Sequence, residues 1–123
     1  GLPGLAIKIF RPSVDLCLME QNLKRTMFLR TICRDLDLDI KIYHGKAENF
    51  SSWNRFRCAT IRALKPSREI LEILKQRRIP LLVFRGSDLT FEVQDFKVCR
   101  QARFPLSRNR WVSLLLPVPL EQR

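Results

Sequence analysis

Apolar positions between Trp53 and Lys65 recur with the helical period of about 3.6 residues, so we expect a helix there. Pro66 lacks a backbone donor and ends this helix. The period predicts two opposite faces. The apolar face carries Trp53, Phe56, Thr60, Ala63 and Leu64. The opposite face carries Arg55, Arg62 and Lys65.

A second helix and a buried strand are expected after this break. Ser67 is a suitable N-cap, the apolar positions after it repeat at helical spacing, and Pro80 closes the helix. Leu81 to Phe84 is a continuous apolar run, which is typical of a strand covered on both faces. The combined periodicities predict a shared core of Phe56, Leu64, Ile73 and Val83.

The amino-terminal part of the chain predicts a strand, a helix and a second strand. Leu5 to Phe10 alternates in the manner of a short strand, and Ser13 can cap a helix that runs to about Arg34. This helix has apolar rows on two sides, so one side is available to a partner chain. Leu36 to His44 alternates strictly, which indicates a half-buried strand with one polar face.

The carboxyl-terminal part predicts shorter strands. Leu89 to Val93 and Phe96 to Cys99 are expected to pair as a hairpin about a turn at Gln94 and Asp95. Trp111 to Leu116 is expected to be the last strand, because prolines follow it.

The order strand, helix, strand, two helices, strand, hairpin, strand predicts the α/β class. We expect residues 1–123 to form a single α/β domain with a mixed sheet, early βαβ crossovers and a late antiparallel hairpin. An α+β layer with its helices on one face is the alternative. The first residue is Gly1, so we also expect this domain to be a fragment of a longer chain.

Composition indicates a folded, strongly basic protein. Hydrophobic residues make up 46% of the 123 residues, which is too many for a disordered chain. Lysine and arginine number 23 against 12 acidic residues, for a net charge of +11. Such a surplus favours an anionic partner, although a basic domain without a ligand is the simpler alternative.

The sequence favours an intracellular protein with reduced thiols. No apolar stretch approaches the ~20 residues that cross a bilayer, and no signal peptide is visible. The four cysteines are far apart and form no C-x-x-C pair, so a zinc site is not indicated. We expect Cys17, Cys33 and Cys58 to be buried.

Acidic residues suggest two metal-dependent alternatives. Asp35, Asp37 and Asp39 share one face of the expected strand, and two carboxylates so placed, Asp37 and Asp39 above all, could hold divalent cations for nucleotidyl transfer. A solvated strand face is the competing interpretation. Asp88 followed by Asp95-Phe96-Lys97 has the outline of a nuclease site, but the three-residue pattern is common by chance. We assign no catalytic residue, no metal and no cofactor.

Arginines recur beside aromatic residues, a combination suited to phosphates and exposed bases. The sequence therefore favours a non-catalytic nucleic-acid-binding domain, for RNA before DNA, within a larger chain or assembly. The alternative is a protein-interaction domain that uses the two-sided first helix or the apolar carboxyl-terminal tail, and a metal-dependent nucleotidyl-transfer or nuclease enzyme comes third. The expected nucleic-acid-binding residues are Arg55, Arg62, Lys65, Arg77, Arg78, Arg100, Arg103, Arg108 and Arg110.

Overall fold

The computed structural model describes residues 3–62, 65–86 and 92–123. Its contacts divide the chain into two compact units, Gly1–Ser51 and Ser52–Arg123, which are described separately. The helices are α1 (Gly4–Phe10), α2 (Leu23–Asp35) and α3 (Arg68–Arg77). The strands are β1 (Cys17–Glu20), β2 (Lys41–His44), β3 (Ala59–Arg62), β4 (Leu81–Arg85), β5 (Phe96–Arg103) and β6 (Trp111–Pro117). Short 3₁₀ helices cover Ala47–Asn49, Trp53–Arg55 and Leu120–Gln122.

The first unit contains a parallel strand pair joined through a helix. β1 and β2 run parallel, with Glu20 opposite His44. α2 connects them and is preceded by its N-cap, Asn22, whose side chain accepts a hydrogen bond from the Arg25 amide at 3.0 Å. This N-cap satisfies one of the amides that the first helical turn leaves without a partner. Leu29 of α2 is buried, so the helix contributes to the core of this unit.

The second unit contains a four-stranded sheet in the order β3-β4-β6-β5. β3 and β4 are parallel and are connected through α3, whereas β6 is antiparallel to both of its neighbours. Ser67 caps α3 by accepting a hydrogen bond from the Ile70 amide at 3.2 Å, and Arg78 ends the helix in the left-handed conformation. The core of this unit centres on Leu74, Leu81, Val83 and Leu115.

The predicted fold class is confirmed: the chain has a mixed α/β fold with parallel strands early and an antiparallel hairpin late. The parallel pairs β1–β2 and β3–β4 are each connected through a helix, as the βαβ prediction requires. The expectation of one domain stays a prediction.

The predicted first strand, Leu5 to Phe10, is wrong, because this segment is α1. A short apolar run fits either a strand or a buried helix, and here packing decides. Gly4 lets the helix approach β1, and the Ile7 amide donates to the Pro3 carbonyl at 3.0 Å.

The predicted helix from Ser13 to Arg34 is also wrong, because it contains β1, a turn and α2. Each of its two apolar rows is divided between the β1 segment and α2, so the predicted two-sided helix does not exist. The predicted strand from Leu36 to His44 shrinks to β2, because Asp37 adopts a left-handed conformation (φ 53°) at the end of α2.

The predicted helix from Trp53 to Lys65 is wrong as well. The segment forms a 3₁₀ helix and then β3, and residues 63–64 lie outside the described residues. The expected core is only partly present, because Val83 is buried while Phe56 and Ile73 are half-buried. Leu64 lies outside the described residues.

The helix after Ser67 and the strands near Leu81 and Trp111 are confirmed as α3, β4 and β6. The predicted hairpin partners differ from the observed ones. β5 pairs with β6 across the loop 104–110, and most of the expected strand from Leu89 to Val93 lies outside the described residues.

The cysteines are free thiols. Cys33 is buried as predicted, and burial raises the pKa of its thiol. The prediction for Cys58 is wrong, because its side chain is exposed, and Cys17 is half-buried.

Within the described ranges, each helix is too short or too polar to cross a membrane.

Candidate functional site

Two strands of the first unit end side by side. The last residues of β1 and β2, Glu20 and His44, are register partners in a parallel pair. The Gly45 amide donates a hydrogen bond to the Glu20 carbonyl at 2.9 Å, so β2 ends against the last residue of β1. In open parallel α/β sheets, ligands bind outside this carboxyl edge.

The Glu20 carboxylate lies at this edge, with its side chain 22% exposed. Its Oε2 accepts a hydrogen bond from the Gln21 amide at 3.0 Å. Its Oε1 lies 3.5 Å from a guanidinium nitrogen of Arg25. Arg25 is 77% exposed, so this ion pair contributes little stability and mainly limits the orientations of the carboxylate.

The backbone beneath the carboxylate is braced from α2 and from β2. The hydroxyl of the fully buried Thr26 donates a hydrogen bond to the Asn22 carbonyl at 2.9 Å. Thr26 Oγ1 also lies 3.5 Å from the Glu20 carbonyl oxygen. His44 Nε2 lies 3.1 Å from the Gln21 carbonyl and donates to it when Nε2 carries the proton. The turn after β1 is therefore fixed from both sides.

α1 lies close to β1 because residue 4 is glycine. A Cβ at Gly4 would lie 2.4 Å from Leu18 Cδ2 and 3.4 Å from Leu16 Cδ2. The buried Lys8 donates to the Val14 carbonyl at 2.5 Å, which fastens α1 to the segment that leads into β1. A glycine that permits close helix–strand packing is one part of the glycine-rich nucleotide-binding fingerprint.

This arrangement suits a ligand that contains ribose. In the nucleotide-binding α/β folds, an acidic residue at the end of the second strand accepts hydrogen bonds from ribose hydroxyls. Glu20 occupies a comparable place, after the glycine-dependent contact of α1 and at the carboxyl end of a parallel strand.

Comparison with protein families gives a specific match. The family model of GidB, rRNA small subunit methyltransferase G, matches residues 1–102. The chain belongs to the GidB family. The matched range includes the whole of the first unit and reaches into β5 of the second.

Curated GidB relatives share this description. Ribosomal RNA small subunit methyltransferase G of Thermobifida fusca is 35% identical over 112 residues, which cover 89% of this chain and 46% of that protein. The protein of the same name from Acholeplasma laidlawii is 39% identical over 88 residues, covering 70% and 36%. The one from Mycoplasmopsis pulmonis is 37% identical over 73 residues, covering 59% and 32%. The chain therefore spans less than half the length of these relatives.

Solved structures resemble the chain in fold at low sequence identity. A mutant of MtNAS superposes with a TM-score of 0.71 at 12% identity, over 96% of this chain and 49% of that chain. A putative methylase, HI0767 from Haemophilus influenzae, gives a TM-score of 0.64 at 9% identity, over 97% and 83%. These similarities show a Rossmann-type α/β fold.

Membership of the GidB family corrects two functional expectations. A non-catalytic nucleic-acid-binding domain was expected, and an enzyme was not favoured. Both predictions are wrong, because the family and its curated relatives are rRNA methyltransferases.

Three of the expected nucleic-acid-binding residues, Arg55, Arg62 and Lys65, do not lie where the helical pattern placed them. Arg55 ends a 3₁₀ helix, and its guanidinium lies 5.8 Å from the centre of the Phe56 ring. Arg62 ends β3, and Lys65 comes after this strand in the chain. These three cations therefore share no helix face. Arg77 ends α3 and Arg78 caps it. The remaining four, Arg100, Arg103, Arg108 and Arg110, lie on β5 and in the loop before β6. That these residues bind nucleic acid stays a prediction.

The three aspartates of the expected acidic strand do not form a strand face. Asp35 ends α2, Asp37 lies in the left-handed turn after it, and Asp39 is exposed before β2. In the part of the chain that the structure describes, no group of three His, Cys, Asp or Glu side chains is placed to hold a metal ion.

Glu20, Asn22 and Gly4 were missed from the sequence. Two signals were available: the glycines of Gly1-Leu2-Pro3-Gly4, and the apolar run from Leu16 to Met19 that ends at Glu20. Because the long predicted helix absorbed this run, its acidic end was not recognised as the end of a strand.

Proposed function

We propose that this chain forms the methyl-donor-binding part of a methyltransferase that acts on small-subunit rRNA. The observation that carries the proposal is the Glu20 carboxylate at the carboxyl end of β1, in a chain of the GidB family. The RNA substrate is inferred from the names of the curated relatives. The charge of +11 supports a polyanionic partner.

The residues at the carboxyl edge fit a methyl donor with a ribose, such as S-adenosylmethionine. The Glu20 carboxylate would accept hydrogen bonds from the ribose hydroxyls. The bound donor supplies an electrophilic methyl group. Thr26 contacts the Glu20 carbonyl and His44 contacts the Gln21 carbonyl, so the backbone at the end of β1 is held in place before the ligand arrives, which reduces the ordering cost of binding.

The test is calorimetric titration of the 123-residue chain with S-adenosylmethionine. Glu20→Gln keeps the shape of the side chain and removes its charge, so it should weaken donor binding about 10- to 100-fold, the equivalent of ~1.5–3 kcal/mol for hydrogen bonds to a charged group. The control is Asp39→Asn, a matched charge removal at an exposed residue before β2. It should leave donor binding unchanged.

Two results would overturn the proposal: no titratable binding of the donor by the wild-type chain, or wild-type affinity in a correctly folded Glu20→Gln variant. A second assay follows transfer of a radiolabelled methyl group to rRNA in purified small ribosomal subunits. Donor binding without transfer would limit this chain's role to holding the donor.

A further inference from the structure

The hairpin of β5, the loop 104–110 and β6, which we call the cationic hairpin, concentrates positive charge. No aspartate or glutamate occurs between Phe96 and Leu120. A second stretch without acidic residues, between Glu48 and Glu69, also carries five cations. The cations of the hairpin are Lys97, Arg100, Arg103, Arg108 and Arg110.

All five cations are exposed. β5 is an edge strand of the sheet, and only its first residue, Phe96, is buried. In the described ranges, no acidic side chain forms an ion pair with any of the five, whereas Lys75 pairs with Asp95 and Glu72. The five charges are therefore available to a ligand.

A β-bulge brings two of the cations to the same face of the sheet. Lys97 lies opposite Leu116, Arg100 lies opposite Leu114, and the register shifts between Val98 and Arg100. Side chains on a regular strand alternate, so residues 97 and 100 would otherwise point to opposite faces. Their partners on β6 are two residues apart, which places the two cations about 7 Å apart along the strand.

The loop that carries the other cations is held to the sheet. The Phe104 amide donates to the Arg110 carbonyl at 2.9 Å, and the Ser107 amide donates to the Phe104 carbonyl at 3.2 Å. The Phe104 ring lies 6.0 Å from the ring of Phe84 on β4, yet Phe104 remains 37% exposed. Arg108 and Arg110 therefore extend from an ordered loop beside a partly exposed aromatic ring.

We propose that the cationic hairpin binds the phosphate backbone of single-stranded RNA, with Lys97 and Arg100 contacting phosphates from one face. Clustered cations without acidic partners repel one another and oppose folding. The phosphates of a bound polyanion neutralise these charges, so such a cluster is typical of a surface that binds a polyanion. A partly exposed phenylalanine beside arginines suits unstacked bases, which single strands offer. This inference rests on the proposed function only for the choice of RNA, because the donor site lies on other residues.

The test is fluorescence anisotropy of a labelled oligouridine titrated with the 123-residue chain at several salt concentrations. Each phosphate contact on a single strand contributes about 0.7 to the slope of log affinity against log salt. The variant K97Q/R100Q should therefore bind more weakly at low salt and have a slope smaller by about 1.4 units. The matched control R30Q/K41Q removes one arginine and one lysine that are exposed on α2 and β2. It should change the slope by much less.

Edge strands also use cations to prevent aggregation, and the same variants distinguish that role. If Lys97 and Arg100 bind RNA, K97Q/R100Q should remain monomeric, melt at or above the wild-type temperature and bind S-adenosylmethionine normally. An unchanged affinity and salt slope would overturn the proposal, as would an aggregated K97Q/R100Q chain whose soluble fraction binds oligouridine normally. Failure of donor binding in the wild type would overturn the donor site and leave this test intact.

Discussion

At the scale of the residue, Gly4 shows how a missing side chain sets the distance between two elements. Alanine favours helices over glycine by roughly 0.5–1 kcal/mol, so propensity alone predicts that Gly4→Ala stabilises α1. The new Cβ, however, would lie 2.4 Å from Leu18 Cδ2. Overpacking costs ~1–3 kcal/mol, so we expect a net loss of stability, measured by urea denaturation.

The Leu18→Ala background separates these two effects. Leu18→Ala alone should destabilise the protein, because Leu18 is only 9% exposed. In that background the clash is absent, so adding Gly4→Ala should be neutral or stabilising. If Gly4→Ala costs the same in both backgrounds, close contact with β1 is not the reason for glycine at this position.

At the scale of the element, a buried lysine joins α3 to the turn before β5. Lys75 Nζ lies 2.7 Å from Asp95 Oδ2 and 2.6 Å from Glu72 Oε1, and its side chain is 9% exposed. Asp95→Asn keeps a residue type that tolerates the left-handed backbone at φ 67°. We expect it to destabilise the protein by about 1.5–3 kcal/mol in urea denaturation. Glu72→Gln should cost less, because Glu72 is 50% exposed.

The same contact predicts a pH dependence at the alkaline end. The hydrogen bonds from Lys75 to Asp95 and to Glu72 raise the lysine pKa above its ordinary value of 10.5. A raised pKa means that the folded protein holds this proton more tightly, so the stabilisation is complete below pH 10.5 and is lost as the pH rises through the folded value. The stability difference between wild type and Asp95→Asn should be constant near neutral pH and shrink above pH 10.5. A difference that stays constant there would show that the charge on Lys75 is not its source.

Which elements the sequence could predict depended on their boundaries. α3 and β4 were predictable because Ser67 caps the helix and Pro80 separates it from a short apolar run that is typical of a strand covered on both faces. β1 was not, because Leu16 to Glu20 satisfies helical spacing and no proline or glycine separates it from α2. The Asn22 cap was the only local signal, and asparagine is also common in turns.

The candidate donor site was less predictable than the fold. An acidic residue becomes informative only when it ends a strand next to another parallel strand, and that pairing joins residues far apart in sequence. The Asp35, Asp37 and Asp39 pattern was more conspicuous, but the left-handed turn at Asp37 removes the alternation on which it depended. The cationic hairpin was easier to notice, because its five cations follow one another along the chain with no acidic residue between them.

At the scale of the whole molecule, the two proposed sites lie on different units. Glu20 belongs to the first unit, and the cationic hairpin belongs to the second. Hydrogen bonds that a carboxylate accepts from ribose hydroxyls act at short range, whereas binding of RNA phosphates releases counterions. The two binding activities should therefore respond differently to salt.

This difference supplies a prediction for the intact 123-residue chain. If all five hairpin cations contact phosphates, the slope of log affinity for oligouridine against log salt should be about 3.5, so affinity should fall about a hundredfold between about 50 and 200 mM salt. Affinity for S-adenosylmethionine, measured by calorimetry in the same buffers, should change far less. Parallel losses of both affinities would indicate that salt perturbs the folded state. A slope below about one for RNA would mean that fewer than two phosphates are contacted, too few for the hairpin to be the binding surface.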